Sequence, residues 1–563
     1  MKLKLYFLCT ACVLVLLIAN STLSQTIPAG FPVLEESLRR QQLLGSEELQ
    51  DFSFGLRPIL SLKQNRFNSL NDSLPIKKRK VQLELLPVLS TTVFNSNRPY
   101  GWGNFSMMNG AGAQSLLSPG IYGKLLFLKF QFRPEFVASQ NKAYQGFGEN
   151  YSDNILFARF RYWNFGDSPE RFTKEYNSFA WWGQSYVSLN VGPVELGAST
   201  QNIWWGPGQF NALIFSNNAR GMKHLYLRTS RPANIFIGKL EAELIVGRAE
   251  DSGILPSQNQ RLNGIFAREF RGDFKYINGI TLTYQPVFLP NFFAGFNRTF
   301  QQYNDDVTNT FIGRMPVLEP FQKVKFFTND NSVVYDSKAQ DQQISFFLRY
   351  FSSKGNFEAY AEYGKQDHSY DWREFILNPE HARAYLLGFS KLFKTNKKGE
   401  YYQVRGEIVQ QAESVNRYIR YPDLNSGNTS WHTHYQVRGF TNEGQSMGVG
   451  IGVGANAQIV ELSKISNLNK IGLLLERIEN HQDFYYRAFG GNSGRRPWVD
   501  LSMGVLLDHQ WNNFILSSKT QVVHSFNYQW ETVGISTSDY PNGQKLWTFS
   551  GTLNLIYQIR HKN

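Results

Sequence analysis

From about Val81 to the C-terminus, apolar and polar residues alternate with a period of two between turns rich in Gly, Asn, Asp and Pro. That pattern predicts antiparallel strands, each with one oily and one wet face. In Lys124 to Arg133, Leu126, Leu128, Phe130 and Phe132 share one face while Lys129, Gln131 and Arg133 take the other. In Asn356 to Tyr363, Phe357, Ala359, Ala361 and Tyr363 oppose Asn356, Glu358 and Glu362. The last segment sets Trp547, Phe549, Gly551, Leu553, Leu555, Tyr557 and Ile559 against Thr548, Ser550, Thr552, Asn554, Gln558 and Arg560. Before Val81 the period changes. Phe31, Leu34, Leu38 and Leu43 recur at helical spacing among Glu35, Glu36, Arg39 and Arg40, and Gly45 with Ser46 ends that helix before a short turn at Glu47 to Gln50. The chain therefore divides into a small helical region with its lead-in over residues 25–80 and a β region over 81–563, with no further domain.

Long alternating strands with aromatic ends are those of a transmembrane barrel, whose strands run about 9–11 residues, apolar toward lipid and polar toward the lumen. A soluble sandwich alternates too, but with shorter strands and with its aromatic faces buried between two sheets. Composition favours the barrel: 18% of the 563 residues are charged and the chain holds 45 Phe, 28 Tyr and 12 Trp, against roughly 25% charged in a soluble domain. Beyond the first twenty residues there is no run of about 18 apolar residues, and the mean hydropathy is −0.37, which excludes a helical membrane bundle. The expected fold is all-β, a transmembrane antiparallel β-barrel with an even count of about 16 to 18 strands and a small N-terminal periplasmic helical region. A lumen that wide is either open or plugged.

Lys2 and Lys4, the apolar Leu5 to Ala19 and the small polar Asn20 to Ser24 form the layout of a signal peptide over residues 1–24. Cys9 and Cys12 both lie inside it, so the exported chain offers neither disulfides nor thiolate metal sites. The net charge of +13 suits outer-membrane lipid and lipopolysaccharide, or an acidic polysaccharide; nucleic acid is not a partner an exported protein meets. The Lys77 to Lys80 run reads as a solvated segment before a strand.

Candidate catalytic groups do not assemble. His432 and His434, two apart, would share one face if on a strand, but with no third metal ligand nearby in sequence they read as polar lumen or loop residues. Asp508 with His509, and His524 with Ser525, are neighbours on opposite strand faces. Glu358 and Glu362 lie about 13 Å apart at strand rise, too far for a glycosidase pair. Gly448 to Gly454, where glycine alternates with Val or Ile, reads as close-packed barrel wall. No catalytic residue, metal or cofactor is expected.

Several segments nevertheless resemble a known family. Leu83-Glu84-Leu85-Leu86-Pro87-Val88, then Phe94 to Gly103 around Arg98-Pro99-Tyr100-Gly101-Trp102, then Gln201-Asn202-Ile203-Trp204-Trp205-Gly206-Pro207-Gly208 leading to Ser216-Asn217-Asn218-Ala219, are similar to the signature segments of the capsule-assembly Wzi family. So is Trp431-His432-Thr433-His434-Tyr435 with Gly439, Gly444 and Gly448. One departure is that the family tends to carry Asn-Asp-Gly after Trp102, where this chain has Gly103-Asn104-Phe105. The resemblance implies an outer-membrane barrel of eighteen strands in a Gram-negative bacterium. Its lumen would be occluded by loops and by the periplasmic helical region, and it would act without catalysis as a lectin that holds capsular or extracellular polysaccharide on the cell surface. Tyr100, Trp102, Trp204, Trp205, Asn217, Asn218 and Arg220 are then the candidate ligand-binding residues. Aromatic rings stack on sugar C–H faces, amides pair with hydroxyls and arginine attracts carboxylates. Two alternatives stand beside this. Trp204 and Trp205 belong to an interface girdle while Asn217 and Asn218 bond their own loop, or the barrel is a porin-like channel whose basic lumen favours anionic solutes; in either role a monomer is expected.

Overall fold

The computed structural model describes residues 26–60, 81–173, 175–319, 326–327, 333–334, 339–366, 376, 379–380, 382–413, 430–490 and 494–559. The expected signal peptide and the Lys77 to Lys80 run lie outside the described residues.

Eighteen antiparallel strands close into one barrel. They are β1 (Val81–Asn95), β2 (Gly112–Leu125), β3 (Leu128–Phe132 and Glu135–Ser139), β4 (Asn177–Trp181 and Tyr186–Val191), β5 (Val194–Ser199) and β6 (Lys223–Thr229 and Ala233–Ile235). Next come β7 (Gly238–Ala249), β8 (Lys275–Pro286), β9 (Phe292–Tyr303), β10 (Asp341–Ser352), β11 (Phe357–Gln366) and β12 (Arg383–Lys394). The circuit ends with β13 (Glu400–Gln410), β14 (Asn456–Ser466), β15 (Asn469–Glu479), β16 (Val499–Trp511), β17 (Phe514–Phe526) and β18 (Lys545–Tyr557). Each strand pairs with the next, and β18 returns to β1 with Tyr557 opposite Val88, so no edge is left open. Pro87 cannot donate to the ladder, and the β1–β2 register shifts there, between Leu86 and Leu89. Tight turns such as Gly192-Pro193 and Asn512-Asn513 join strands at one end, and long loops join them at the other.

The period-two pattern sorts the wall as expected. Trp547, Phe549, Leu553, Leu555 and Tyr557 are exposed on the outside, while Thr548 and Ser550 are buried within. Lys124 to Arg133, however, is not one strand. It folds as a hairpin about Leu126 and Phe127, with Leu126 at φ 55° and Leu125 paired with Leu128. Lys129, Gln131 and Arg133 are buried inside, and Phe130 and Phe132 face out. A two-residue turn lets the apolar sequence run on unbroken, and leucine gives no sign of a positive φ. Leu128 thus lies at the barrel rim. The midplane penalty belongs to a residue such as Val505, exposed at the centre of β16. Val505→Arg is expected to cost about 2–4 kcal/mol, read from urea unfolding in lipid vesicles; an unchanged midpoint would place Val505 away from lipid.

Inside the wall, polar chains alternate with an apolar core. Tyr226, Ile245, Ile277, Leu386, Val409, Ile459 and Val523 point inward and pack against Trp205, Leu213, Phe215, Trp431 and Phe440, which come from loops folded into the lumen. The lumen is filled at this level like the interior of a globular domain. The N-terminal helix α1 (Leu34–Leu43) and a one-turn 3-10 helix at Glu47–Leu49 lie in the mouth at the tight-turn end, where the Asn356 amide donates to the Leu43 carbonyl (2.8 Å).

Candidate ligand-binding site

The N-terminal segment is locked into the wall by charge. Arg39 donates through Nε to both oxygens of Glu358 on β11 (2.9 and 3.0 Å) and through a terminal nitrogen to the Pro207 carbonyl (2.7 Å). Glu358 also receives Arg349 of β10 (2.9 and 2.7 Å). Glu36 meets Lys470 (3.0 Å) and Arg405 (3.4 Å). Burial alone would push its carboxyl up, yet Arg405, Lys470 and Arg40 together hold it well below the usual carboxylate range.

The segments that resemble the family's signatures knit three loops together. Leu56–Arg57 pairs with Trp204–Trp205 as a two-residue ladder. The Arg57 guanidinium sits 4.2 Å over the Trp204 ring and donates to the carbonyls of Gly206 (3.1 Å) and Gly208 (2.8 Å). Trp205 donates its indole N–H to Glu243 (2.9 Å) and meets Phe215 edge-on at 4.9 Å. Both indoles are buried in the lumen, away from the lipid-facing girdle. Asn217 donates to the Gly103 carbonyl (3.1 Å), and Asn218 donates to the Ser446 carbonyl (2.9 Å) while accepting from the Gly103 N–H (3.2 Å). The two amides bond this loop to the loops of Gly103 and Ser446 rather than within itself. Arg220 pairs with Glu443 (2.6 Å) and lies 4.1 Å over Phe179.

One further expectation changes here. Gly448 to Gly454 is not barrel wall but a luminal loop of turns; Gly452 at φ 102° and Gly454 at φ 59° explain the glycines that imitate a strand. A methyl group at Gly448 would overlap the Leu213 carbonyl and the His432 ring. His432 and His434 lie in a loop rather than on a strand, in keeping with the lumen or loop reading. The His432 Nε2 accepts from the Val449 N–H (3.2 Å), and burial pushes its imidazole down to about 3. The His434 Nδ1 accepts from the N–H groups of Gln436 and Val437 (both 3.2 Å). Among the described residues no cluster of His, Asp or Glu is placed to hold a metal.

Above this packing, at the long-loop end, is a cavity of about 260 Å³ lined by Arg98, Tyr100, Trp102, Asn218, Trp498 and Tyr528 among others. The Tyr100 hydroxyl donates to Glu476 (2.7 Å), and burial followed by that carboxylate raises its pKa well above the usual value. Arg98 pairs with Asp500 (2.6 Å) and lies 5.3 to 5.7 Å from the rings of Tyr100, Trp498 and Tyr528. Trp102 is half-buried, with its indole N–H on the Phe210 carbonyl (2.9 Å). Of the seven expected residues, Tyr100, Trp102 and Asn218 reach this cavity; Trp204, Trp205, Asn217 and Arg220 do not line it.

The other side of the cavity rests on elements the period-two pattern concealed. Helices α2 (Asp153–Gly166) and α3 (Gln482–Phe489) arise within the loops and pack Phe147, Phe160, Trp163, Phe484, Phe489 and Trp530 together. Phe147 stacks on Tyr151 at 4.6 Å, and Phe484 meets Trp530 at 4.7 Å. Ser152-Asp153 followed by Leu156, Phe160 and Trp163 at helical spacing was the available signal. His481, beside α3, is held neutral by burial and then by Arg159, its imidazole pushed down to about 3.

A closed barrel with an oily outer belt and a packed lumen defines a membrane-spanning barrel protein whose surface chemistry sits at its long-loop end. The family model for capsule assembly protein Wzi matches residues 126–515, and the chain belongs to that family of the outer membrane. Among solved structures, it shares 11% identity with Wzi of Escherichia coli at a TM-score of 0.50, over 84% of this chain and 85% of that one. That protein is described as an outer-membrane, carbohydrate-binding β-barrel involved in group 1 capsule assembly. OccK8 (OprE) of Pseudomonas aeruginosa matches at 8% identity and a TM-score of 0.38, over 85% of this chain and 97% of that one. A BenF-like porin of Pseudomonas fluorescens matches at 9% and 0.38, over 85% and 99%. No curated protein sequence matches.

Proposed function

We propose that this protein holds capsular or extracellular polysaccharide on the outer surface of the cell as a non-catalytic lectin. In this role the tight turns lie on the periplasmic side and the long loops face outward, residues 1–24 are removed on export, and residues 26–60 close the periplasmic mouth of a monomeric barrel. The observation that carries the proposal is the aromatic and amide-lined cavity among the outer loops, with Tyr100, Trp102, Asn218, Trp498 and Tyr528 around it. Such a surface matches a sugar ring, which has apolar faces and a polar edge. Family membership and the carbohydrate binding described for the E. coli relative support the same conclusion. A polymer presents its repeat many times, so weak single contacts suffice for retention.

The packed lumen weighs against the channel alternative, and planar-bilayer recording separates the two. The purified barrel is expected to stay nearly silent, whereas large steady currents would establish an open pore. The direct test is Trp102→Ala in capsulated cells. Secretion should continue and barrel abundance stay normal while polysaccharide is shed into the medium; full retention would remove Trp102 from the site.

A further inference from the structure

One cation at this cavity has no ion-pair partner among the described residues. Arg159 of α2 is 4% exposed and lines the cavity. Its guanidinium lies 4.5 Å over Trp163 and 5.2 to 5.8 Å from the rings of Phe484, Trp530 and Phe147. Among the described residues it makes no ion pair or hydrogen bond, and its Nε is buried without a partner. Every other charge nearby is engaged. Arg98 is paired with Asp500. Glu170 spends its oxygens on the N–H groups of Phe147 (2.6 Å) and Gln258 (3.0 Å). His481 is neutral. Burial pushes the Arg159 guanidinium down to about 10 against the opposing field of the Glu170 carboxylate, so it remains cationic at neutral pH.

A buried cation without a directly paired anion is costly, and the field of Glu170 with stacking on aromatic faces offsets only part of that cost. Stacking does leave the in-plane N–H fork of an arginine free for a planar acceptor. The cavity beside it, about 260 Å³, lies just below the roughly 300–1,000 Å³ of small-molecule sites, a size for one sugar ring rather than an extended chain. We infer that Arg159 receives the carboxylate of an acidic sugar residue, a uronic acid of the held polysaccharide, with the sugar ring in the cavity lined by Trp102, Trp163 and Trp498. The assignment rests on the lectin role above and narrows it to acidic glycans.

The test compares oligogalacturonate with its methyl ester, which keeps the sugar backbone and removes the charge, binding to the full chain in detergent by tryptophan fluorescence. The acid form is expected to bind at least about tenfold more tightly, as for a charged hydrogen bond. Arg159→Gln should bring the two forms level, and Arg159→Lys should keep part of the preference. Heat-modifiable mobility on a gel identifies variants that retain the barrel. Equal binding of acid and ester by the native chain, or a preference that survives Arg159→Gln, overturns the inference and leaves the lectin role standing. Binding of neither form removes both. Sodium acetate that binds at Arg159 where no glycan does would mark a site for free anions and overturn the inference as well.

Discussion

Glu358→Ala is expected to be among the most damaging single changes in the molecule, at about 3–5 kcal/mol, because it strands two buried cations. Glu358 is fully buried and receives four hydrogen bonds from Arg39 and Arg349, with a fifth from Gln209 (3.1 Å). Neither arginine has another carboxylate among its described ion pairs. The loss should fall unevenly. The β10–β11 ladder keeps its backbone bonds, so the barrel persists, while α1 loses its anchor at Arg39. Urea unfolding should show the destabilisation, and limited proteolysis should cut within residues 26–60 before the barrel is touched. Glu358→Gln, which keeps acceptor oxygen and shape, should cost less. A stable variant with a protected N-terminal segment would show that the lumen holds α1 by packing alone.

Trp205→Ala is expected to cost a further class of energy, about 3–5 kcal/mol from the void left by a fully buried ring. Phe215 loses its edge contact, and the Glu243 carboxylate loses the indole N–H inside the lumen, which adds the penalty of an unsatisfied buried acceptor. Trp204 is adjacent but packs with Ala29 and Ala212 beneath Arg57; both rings hang on the one ladder with Leu56–Arg57, so the double change to alanine should not be the sum of the two single ones. The consequence for function is indirect. Capsule retention by Trp205→Ala should fall only in proportion to barrel abundance, whereas Trp102→Ala should lower retention per barrel. Retention that falls per barrel in Trp205→Ala, with unchanged unfolding, would return that ring to the ligand site.

Much of the wall was legible because its physics is local. Side chains alternate across a strand by covalent geometry, and lipid on one side with packed polar chains on the other forces the alternation into the residues themselves. Val81 as the first strand residue, the outward Trp547 to Tyr557 and the N-terminal helix around Leu34 to Leu43 all follow from such spacing. The hairpin at Leu126 and the glycine loop at Gly448 to Gly454 did not, because turn and strand share the same alternation there and only backbone φ separates them. The helices α2 and α3 were masked for a related reason: in so aromatic a chain, a helical spacing of Phe and Trp is hard to tell from a girdle.

The site divides in the same way. The amino-acid sequence by itself determined the residue types, the strand periodicity and the family resemblance, hence a barrel with aromatic and amide-rich loops. Tertiary structure alone decided which of those residues serve the cavity. Trp204 and Trp205 carry the most specific motif, yet they hold the lumen together, because a filled lumen needs large buried rings as a soluble core does. Arg159 bears no motif at all. Its significance arises from what surrounds it, four aromatic rings and no carboxylate bound to it, brought together from loops hundreds of residues apart. Long-range packing of that kind leaves no period in the chain, since each partner is chosen by three-dimensional proximity and not by spacing along the backbone.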